Sequence, residues 1–278
     1  MRLIFYGGGT FFWWQAAAAR QLNKMYSLDK VSIVGYSAGA LASVLTICEV
    51  ETSFAYEVAN EVMQKERGIF SLAFGWGTMV EQWLDTILPP DAHLRCKGRL
   101  VVLITVFSPL PKVLEVTEFK TREELKSCLL SSTHIPFFMN GWIWRDVKCE
   151  AVNALGHTRA ADPVLLEYLG LSKTSIIPPR GGDVCVDQTE DTLFMTECEK
   201  NGWNNLSPKG TDSFIRFGEK WSSRTMVPFI PRLSPSIEDR LQEKVSNETS
   251  FFQSSLIQKR KESNDGREQV DFCQIQLR

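Results

Sequence analysis

Apolar positions along the chain change their spacing from segment to segment, and that spacing predicts the elements. Leu3-Ile4-Phe5-Tyr6 is a short continuous apolar run ending in three glycines, which predicts a strand over 2–6 and a turn at 7–9. The stretch from Thr10 to Tyr26 reads as a helix. Val31-Ser32-Ile33-Val34 repeats the strand pattern ahead of a second helix from Ala38 to about Val50. Strands alternating with helices in this way imply a parallel sheet. Phe54, Val58, Val62 and Met63 follow helical spacing in 53–67. Met79, Val80, Trp83, Leu84 and Ile87 do the same in 76–88, before Pro89-Pro90 ends the run.

From Leu100 the run LVVLITVF predicts a strand buried on both faces, with Val113 to Phe119 returning beside it through Pro109-Leu110-Pro111. A helix follows at 121–131. Residues 140–182 are dense in Gly and Pro and read as loop-rich, apart from a short apolar element at Val164 to Leu169. Val184-Cys185-Val186 is a further short strand, and helices are expected near 189–201 and 211–225. Beyond Met226 the composition shifts to Pro, Ser and mixed charge. The expected organisation is therefore a folded region over 1–226 and a loosely helical or disordered tail over 227–278. The cluster Lys259-Arg260-Lys261 beside Glu262 reads as a solvated face.

Composition narrows the function classes. The chain has 278 residues, a net charge of -2 and 44% hydrophobic residues, so it can bury a sizeable core and has no basic field to attract nucleic acid. No apolar run is long enough to span a bilayer. Its seven cysteines are scattered, with no zinc-type spacing, which reads as buried thiols in a reducing, cytoplasmic setting. Arg2 followed by uncharged residues to Ala19 superficially resembles a secretory signal. The glycine triplet and Trp13-Trp14 fit a strand, turn and helix better, and cleavage near residue 20 would remove half of the site described next.

That site begins with GYSAGA at 35–40. A nucleophilic serine on a sharp strand-to-helix turn needs neighbours without bulk, and Gly35, Ala38, Gly39 and Ala40 supply them around Ser37. The turn also puts Ser37 at the positive end of a helix. Only one strand precedes the strand that leads into it, unlike the several of an α/β-hydrolase. His93, His134 and His157 read as structural or solvated rather than as a triad base, so a histidine-free pair is the better expectation. The glycine turn Gly7-Gly8-Gly9 lacks the third glycine and the acidic residue of a dinucleotide fingerprint. At a helix start beside the elbow its amides suit an oxyanion instead.

Taken in order, YGGGTFFWWQAAAARQL, VGYSAGALAS, LPPDAH and SSTHIPFFMNG resemble the patatin-like phospholipase family of lipid acyl hydrolases, over residues 2 to about 141. The resemblance implies a three-layer α/β/α sandwich on a mostly parallel central sheet, with Ser37 as nucleophile. It also implies an oxyanion hole from Gly7, Gly8, Gly9 and Ala38, and a catalytic aspartate in place of a histidine. Family members carry that aspartate in an Asp-Gly motif; here Asp162-Pro163 is the leading match, with Asp146 and Asp183 as runners-up and Asp187 as a structural position. The aromatic residues Phe11, Phe12, Trp13 and Trp14 read either as a rim for an acyl chain or as core.

The resemblance further implies a lipid ester substrate, transient contact with a membrane or lipid-droplet surface, and no metal or cofactor. A chain without a competent aspartate would instead be a silent relative that binds lipid or a protein partner.

Overall fold

The computed structural model describes residues 1–65, 75–107, 110–163, 183–201 and 208–225. The two predicted βα units are present: strand β1 (Arg2–Phe5), a 3-10 turn (Gly9–Phe11), helix α1 (Phe12–Met25), strand β2 (Ser32–Gly35) and helix α2 (Ala38–Ile47). Helices α3 (Thr52–Lys65) and α4 (Trp76–Ile87) follow as expected. A short helix α5 (Ala92–Cys96) then occupies the residues after the proline pair. Strands β3 (Leu100–Phe107) and β4 (Pro111–Val116) form the anticipated hairpin, and helix α6 spans Arg122–Ser132. Pro111 opens β4, a position where the missing N–H leaves the rest of the ladder intact.

The stretch read as loop-rich contains more order than its composition announces: strand β5 (Arg145–Asp146), helix α7 (Glu150–Asn153) and strand β6 (Arg159–Ala161). Elements of this length carry no readable period. Strand β7 (Val184–Val186), a 3-10 turn (Gln188–Glu190) and helices α8 (Thr192–Asn201) and α9 (Pro208–Thr225) complete the described chain. The apolar element at 164–169 and the tail at 227–278 lie outside the described residues.

The strands form one sheet in the order β5-β6-β3-β2-β1-β7, with β4 on the other edge of β3. The centre, β7-β1-β2-β3, is parallel, and the strands flanking β3 are antiparallel. This is the mixed α/β architecture predicted, with helices on a mostly parallel central sheet. The main core joins one face of the sheet, through Phe5, Ile33, Leu100 and Ile104, to the helices; the other face carries Ile4, Val34, Tyr36 and Leu103.

The alanine run of α1 is central. Ala16, Ala17, Ala18 and Ala19 are all buried, and their small size lets α9 approach so closely that a Cβ on Gly218 would lie 2.2 Å from the Trp14 carbonyl. Ser222 adds a hydrogen bond from its hydroxyl to the Ala18 carbonyl at 2.8 Å. Trp14 packs on Trp221 with ring centroids 5.0 Å apart and donates to Asp191 at 3.2 Å. Trp13 contacts Tyr56, and Phe12 contacts Trp83, at 5.2 and 5.5 Å. Of the two readings of these aromatics, Trp13 and Trp14 follow the core one, and Phe11 and Phe12 pack against that core half-buried. Among the described residues no helix is long and apolar enough to cross a membrane, and the described cysteines are free thiols, most of them buried.

Candidate active site

Ser37 has φ 53° and ψ −134°, a backbone region that side-chain-bearing residues rarely occupy. Its surroundings hold it there. On one side β2 is paired with both β1 and β3. On the other, Gly39 N–H donates to the Tyr36 carbonyl at 2.9 Å and Ala40 N–H to the Ser37 carbonyl at 3.0 Å, so α2 starts directly from the turn. The flanking glycines are there for space. A Cβ on Gly39 would stand 2.3 Å from the Phe5 carbonyl, and one on Gly35 would stand 2.5 Å from the Gly39 carbonyl. The first turn of α2 thus rests backbone to backbone on the end of β1.

Strand register explains what lies opposite. β4 pairs with β3 at Val102 and again at Thr105 and Val106, filling one edge. β2, which pairs at Val102, and β6, which pairs at Thr105 and Val106, must therefore share the other edge. β2 runs up it and ends at Gly35 opposite Val102; β6 runs down it and ends at Ala161 opposite Thr105. The strand ends face each other across Leu103 and Ile104, and the residues that continue into this gap are Tyr36-Ser37 from one side and Asp162 from the other.

The gap leaves backbone groups without a strand partner, and side chains replace it. Ser132, fully buried at the end of α6, donates its hydroxyl to the Leu103 carbonyl at 2.6 Å and accepts the Ser37 N–H at 3.0 Å. Asp162 is fixed through its backbone. Its N–H donates to the His134 carbonyl at 3.0 Å, and its carbonyl accepts from the Thr105 hydroxyl at 3.2 Å. Asp162 is 4% exposed and Ser37 7%. Pro163 biases its predecessor toward extended backbone, the state of the strand that Asp162 continues.

The glycine turn closes the site from the β1 side. A Cβ on Gly7 would come within 2.7 Å of the Tyr36 ring and 3.4 Å of the Ser37 Cβ, which places this backbone against the serine. Gly9 has φ +48°, and Phe11 N–H donates to the Gly8 carbonyl at 2.9 Å. Gln15, fully buried in α1, braces the turn: its amide donates to the Tyr6 carbonyl at 2.7 Å and to Gln188 Oε1 at 3.1 Å. A Cβ on Gly8 would meet that amide at 2.8 Å.

The remaining acids and histidines sit elsewhere or serve the frame. Asp183 pairs with Arg2 at 2.7 Å, at the beginning of β1 and so at the end of the sheet away from Ser37. Asp146 is exposed on β5, and Asp187 caps a turn by accepting from Thr189 N–H at 2.9 Å. His93 lies on α5, before the start of β3. His134 is fully buried beside the gap, its Nε2 3.1 Å from the Trp142 carbonyl. Burial, and more weakly the nearby Arg145, holds its pKa below the ordinary imidazole value.

The structure thus brings the glycine turn to Ser37, with Ala38 as the first residue of α2 and Asp162 entering the same gap. Ser132, Thr105 and Gln15 were not singled out by the sequence, and His134, weighed there only as a triad base, is a buried framing residue. Gln15 had a signal, as a lone polar residue in FFWWQAAAA; Ser132 had none that separates it from Ser131.

Comparison with known proteins gives an independent view. A family model described as patatin-like phospholipase matches residues 3–167. The human patatin-like phospholipase domain-containing protein 5 is 34% identical over 192 residues, covering 66% of this chain and 42% of its own length. Human patatin-like phospholipase domain-containing protein 4 is 29% identical over 115 residues, 40% of this chain and 45% of its own. Human omega-hydroxyceramide transacylase is 32% identical over 108 residues, 37% of this chain and 20% of its own. The match with this chain spans less than half the length of each of these relatives.

Proposed function

The chain belongs to the patatin-like phospholipase family, and from that premise we propose that it is a serine acyl hydrolase of lipid esters working through a Ser37–Asp162 pair. Asp162 takes the Ser37 proton as the hydroxyl oxygen attacks the ester carbonyl, forming a tetrahedral oxyanion. The Ser37 amide is already engaged by Ser132. Oxyanion stabilisation therefore falls to the amides of Ala38 and of Gly8 and Gly9, with Gly7 admitting the turn to the serine. Protonation by Asp162 releases the alcohol, and water activated by the same carboxylate frees the fatty acid. An acceptor alcohol in place of water would make the same acyl-enzyme a transacylase, the activity in one relative's name.

The observation that carries this reading is the strained Ser37 backbone, enforced by glycines that tolerate no side chain and set in a gap that Asp162 enters from the facing strand. The test is hydrolysis of a short-chain nitrophenyl ester and of a phospholipid by purified protein, together with labelling by a fluorophosphonate. Ser37→Ala should abolish both turnover and labelling. Turnover that survives the substitution removes the proposal, and a wild-type protein that is neither labelled nor active belongs with the silent relatives.

A further inference from the structure

The segment from Ile135 to Trp144 hangs directly from the site. Its first residues follow Ser132 and His134, which bond to the Ser37 amide and the Asp162 amide. Its body is fixed by Phe137 N–H to the Trp142 carbonyl at 2.9 Å, Gly141 N–H to the Phe137 carbonyl at 3.2 Å and Trp142 N–H to Asn140 Oδ1 at 2.9 Å. Gly77 N–H on α4 donates to the Met139 carbonyl at 3.0 Å, and Met139 is buried beneath.

On this fixed base the large side chains point outward. Ile135, Phe137, Phe138 and Trp142 are 42%, 61%, 45% and 69% exposed. They are four of the ten large hydrophobic side chains exposed among the described residues, gathered within eight consecutive positions. Phe138 also stacks on Trp76 at 5.9 Å, which extends the apolar platform onto α4. Phe137 holds φ 65°, a strained state for an aromatic residue whose ring remains in water. A contiguous apolar patch of this kind on an ordered loop marks a surface meant to be covered.

Charge identifies what covers it. Residues 135–144 carry no ionisable side chain, so their insertion into hydrocarbon leaves no ion to desolvate. At the base of the loop Arg145 is paired with Glu81 at 3.0 Å and Asp146 is exposed, while the cations Lys148 and Arg159 stand beside them, the latter with its guanidinium 4.5 Å from the centre of the Trp144 ring. Apolar tip, tryptophan, then cation is the order of environments met on leaving a phospholipid leaflet, from acyl chains through the interface to the phosphates. We propose that residues 135–144 form the surface by which this protein docks on a phospholipid membrane, seating the Ser37 gap at the interface where ester substrates lie. The purpose of this docking rests on the acyl-hydrolase reading; its test does not.

The experiment is sedimentation with large unilamellar vesicles of phosphatidylcholine containing a minor share of phosphatidylserine. It uses the full chain carrying Ser37→Ala, so that partitioning is read without turnover and independently of whether the enzyme reading survives. That protein should sediment with the vesicles. Phe137→Asn, which suits the left-handed backbone, and Trp142→Ser should each weaken partitioning about tenfold, and together about a hundredfold. Their melting temperatures should match the parent, because both side chains stand in solvent. Arg159→Gln should remove the gain that phosphatidylserine gives over pure phosphatidylcholine. Leu94→Ser, an exposed apolar residue on α5 at the opposite end of β3, should change nothing.

Absence of vesicle binding by the parent, undiminished binding by the double variant, or an equal loss with Leu94→Ser would each overturn the proposal. So would a lipid-free dimer that the loop variants dissociate, because the patch would then be an interface between copies of this chain.

Discussion

β2 delivers Ser37 from four residues locked between two parallel neighbours, whereas β6 delivers Asp162 from three residues that pair with β3 at two positions and have only the two-residue β5 outside them. At the serine arm, geometry is set redundantly, by the sheet, by the start of α2 and by glycine contacts too close for any side chain. At the aspartate arm the backbone of Asp162 is anchored by hydrogen bonds from Thr105 and to His134. The difference separates two kinds of sensitivity. Damage to the serine arm's frame should register as lost stability, and damage at the aspartate should register as lost chemistry in a protein that still folds.

The largest expected effect tests that separation at the aspartate. Asp162→Asn keeps both backbone hydrogen bonds and removes the base, so kcat should fall by about 10³-fold or more with little change in melting temperature. Residual turnover within tenfold of the parent would move the catalytic role to another group. Gly39→Val is the counterpart on the serine arm. Its branched side chain meets the Phe5 carbonyl, and a denaturant titration should show about 3 kcal/mol of lost stability. Ser132→Ala probes the residue that joins the arms. It leaves the Ser37 N–H and the Leu103 carbonyl buried without their partner, which should cost about 2 kcal/mol and lower kcat more than it changes KM.

The smallest effect is a pH dependence at the aspartate arm. His134 Nδ1 has no partner among the described residues, and burial disfavours a second proton on the ring. The unfolded chain titrates at the ordinary value near 6.5. Below that value the unfolded state takes up a proton more readily than the native state, so this contribution to stability is complete above about pH 6.5 and declines as pH falls. Denaturant titrations at pH 7 and at mildly acid pH should show the decline in the parent and a flatter slope in His134→Gln; identical slopes would exclude His134 as its source.

The same contrast governs what sequence reasoning could reach. The serine arm is written in long signals: an apolar strand, a glycine-flanked serine and a helical run, each with a period or a steric demand that names its residues. The aspartate arm has none of these. Two- and three-residue strands fall below any period, and Asp162 is reached only through a family resemblance in which Pro163 stands where glycine is expected. The brace supplied by Thr105 depends on strand register, which a single sequence does not display. The role of Ser132 depends on the gap between two strand ends, a feature that exists only after folding. Short elements tied together by side-chain hydrogen bonds are the part of this fold that local pattern leaves unwritten.

The packing of α9 on α1 also has a consequence for the timing of synthesis. Ala18 and Ser222, joined by a hydrogen bond, are 204 positions apart, so at about 5–20 residues per second the ribosome needs roughly 10–40 s to supply the second after the first. For that interval the emerging chain presents Trp14 and the alanine face of α1 without the helix that covers them. α1 is thus synthesised well before the helix that encloses it, and its apolar face stays open to other contacts while it waits.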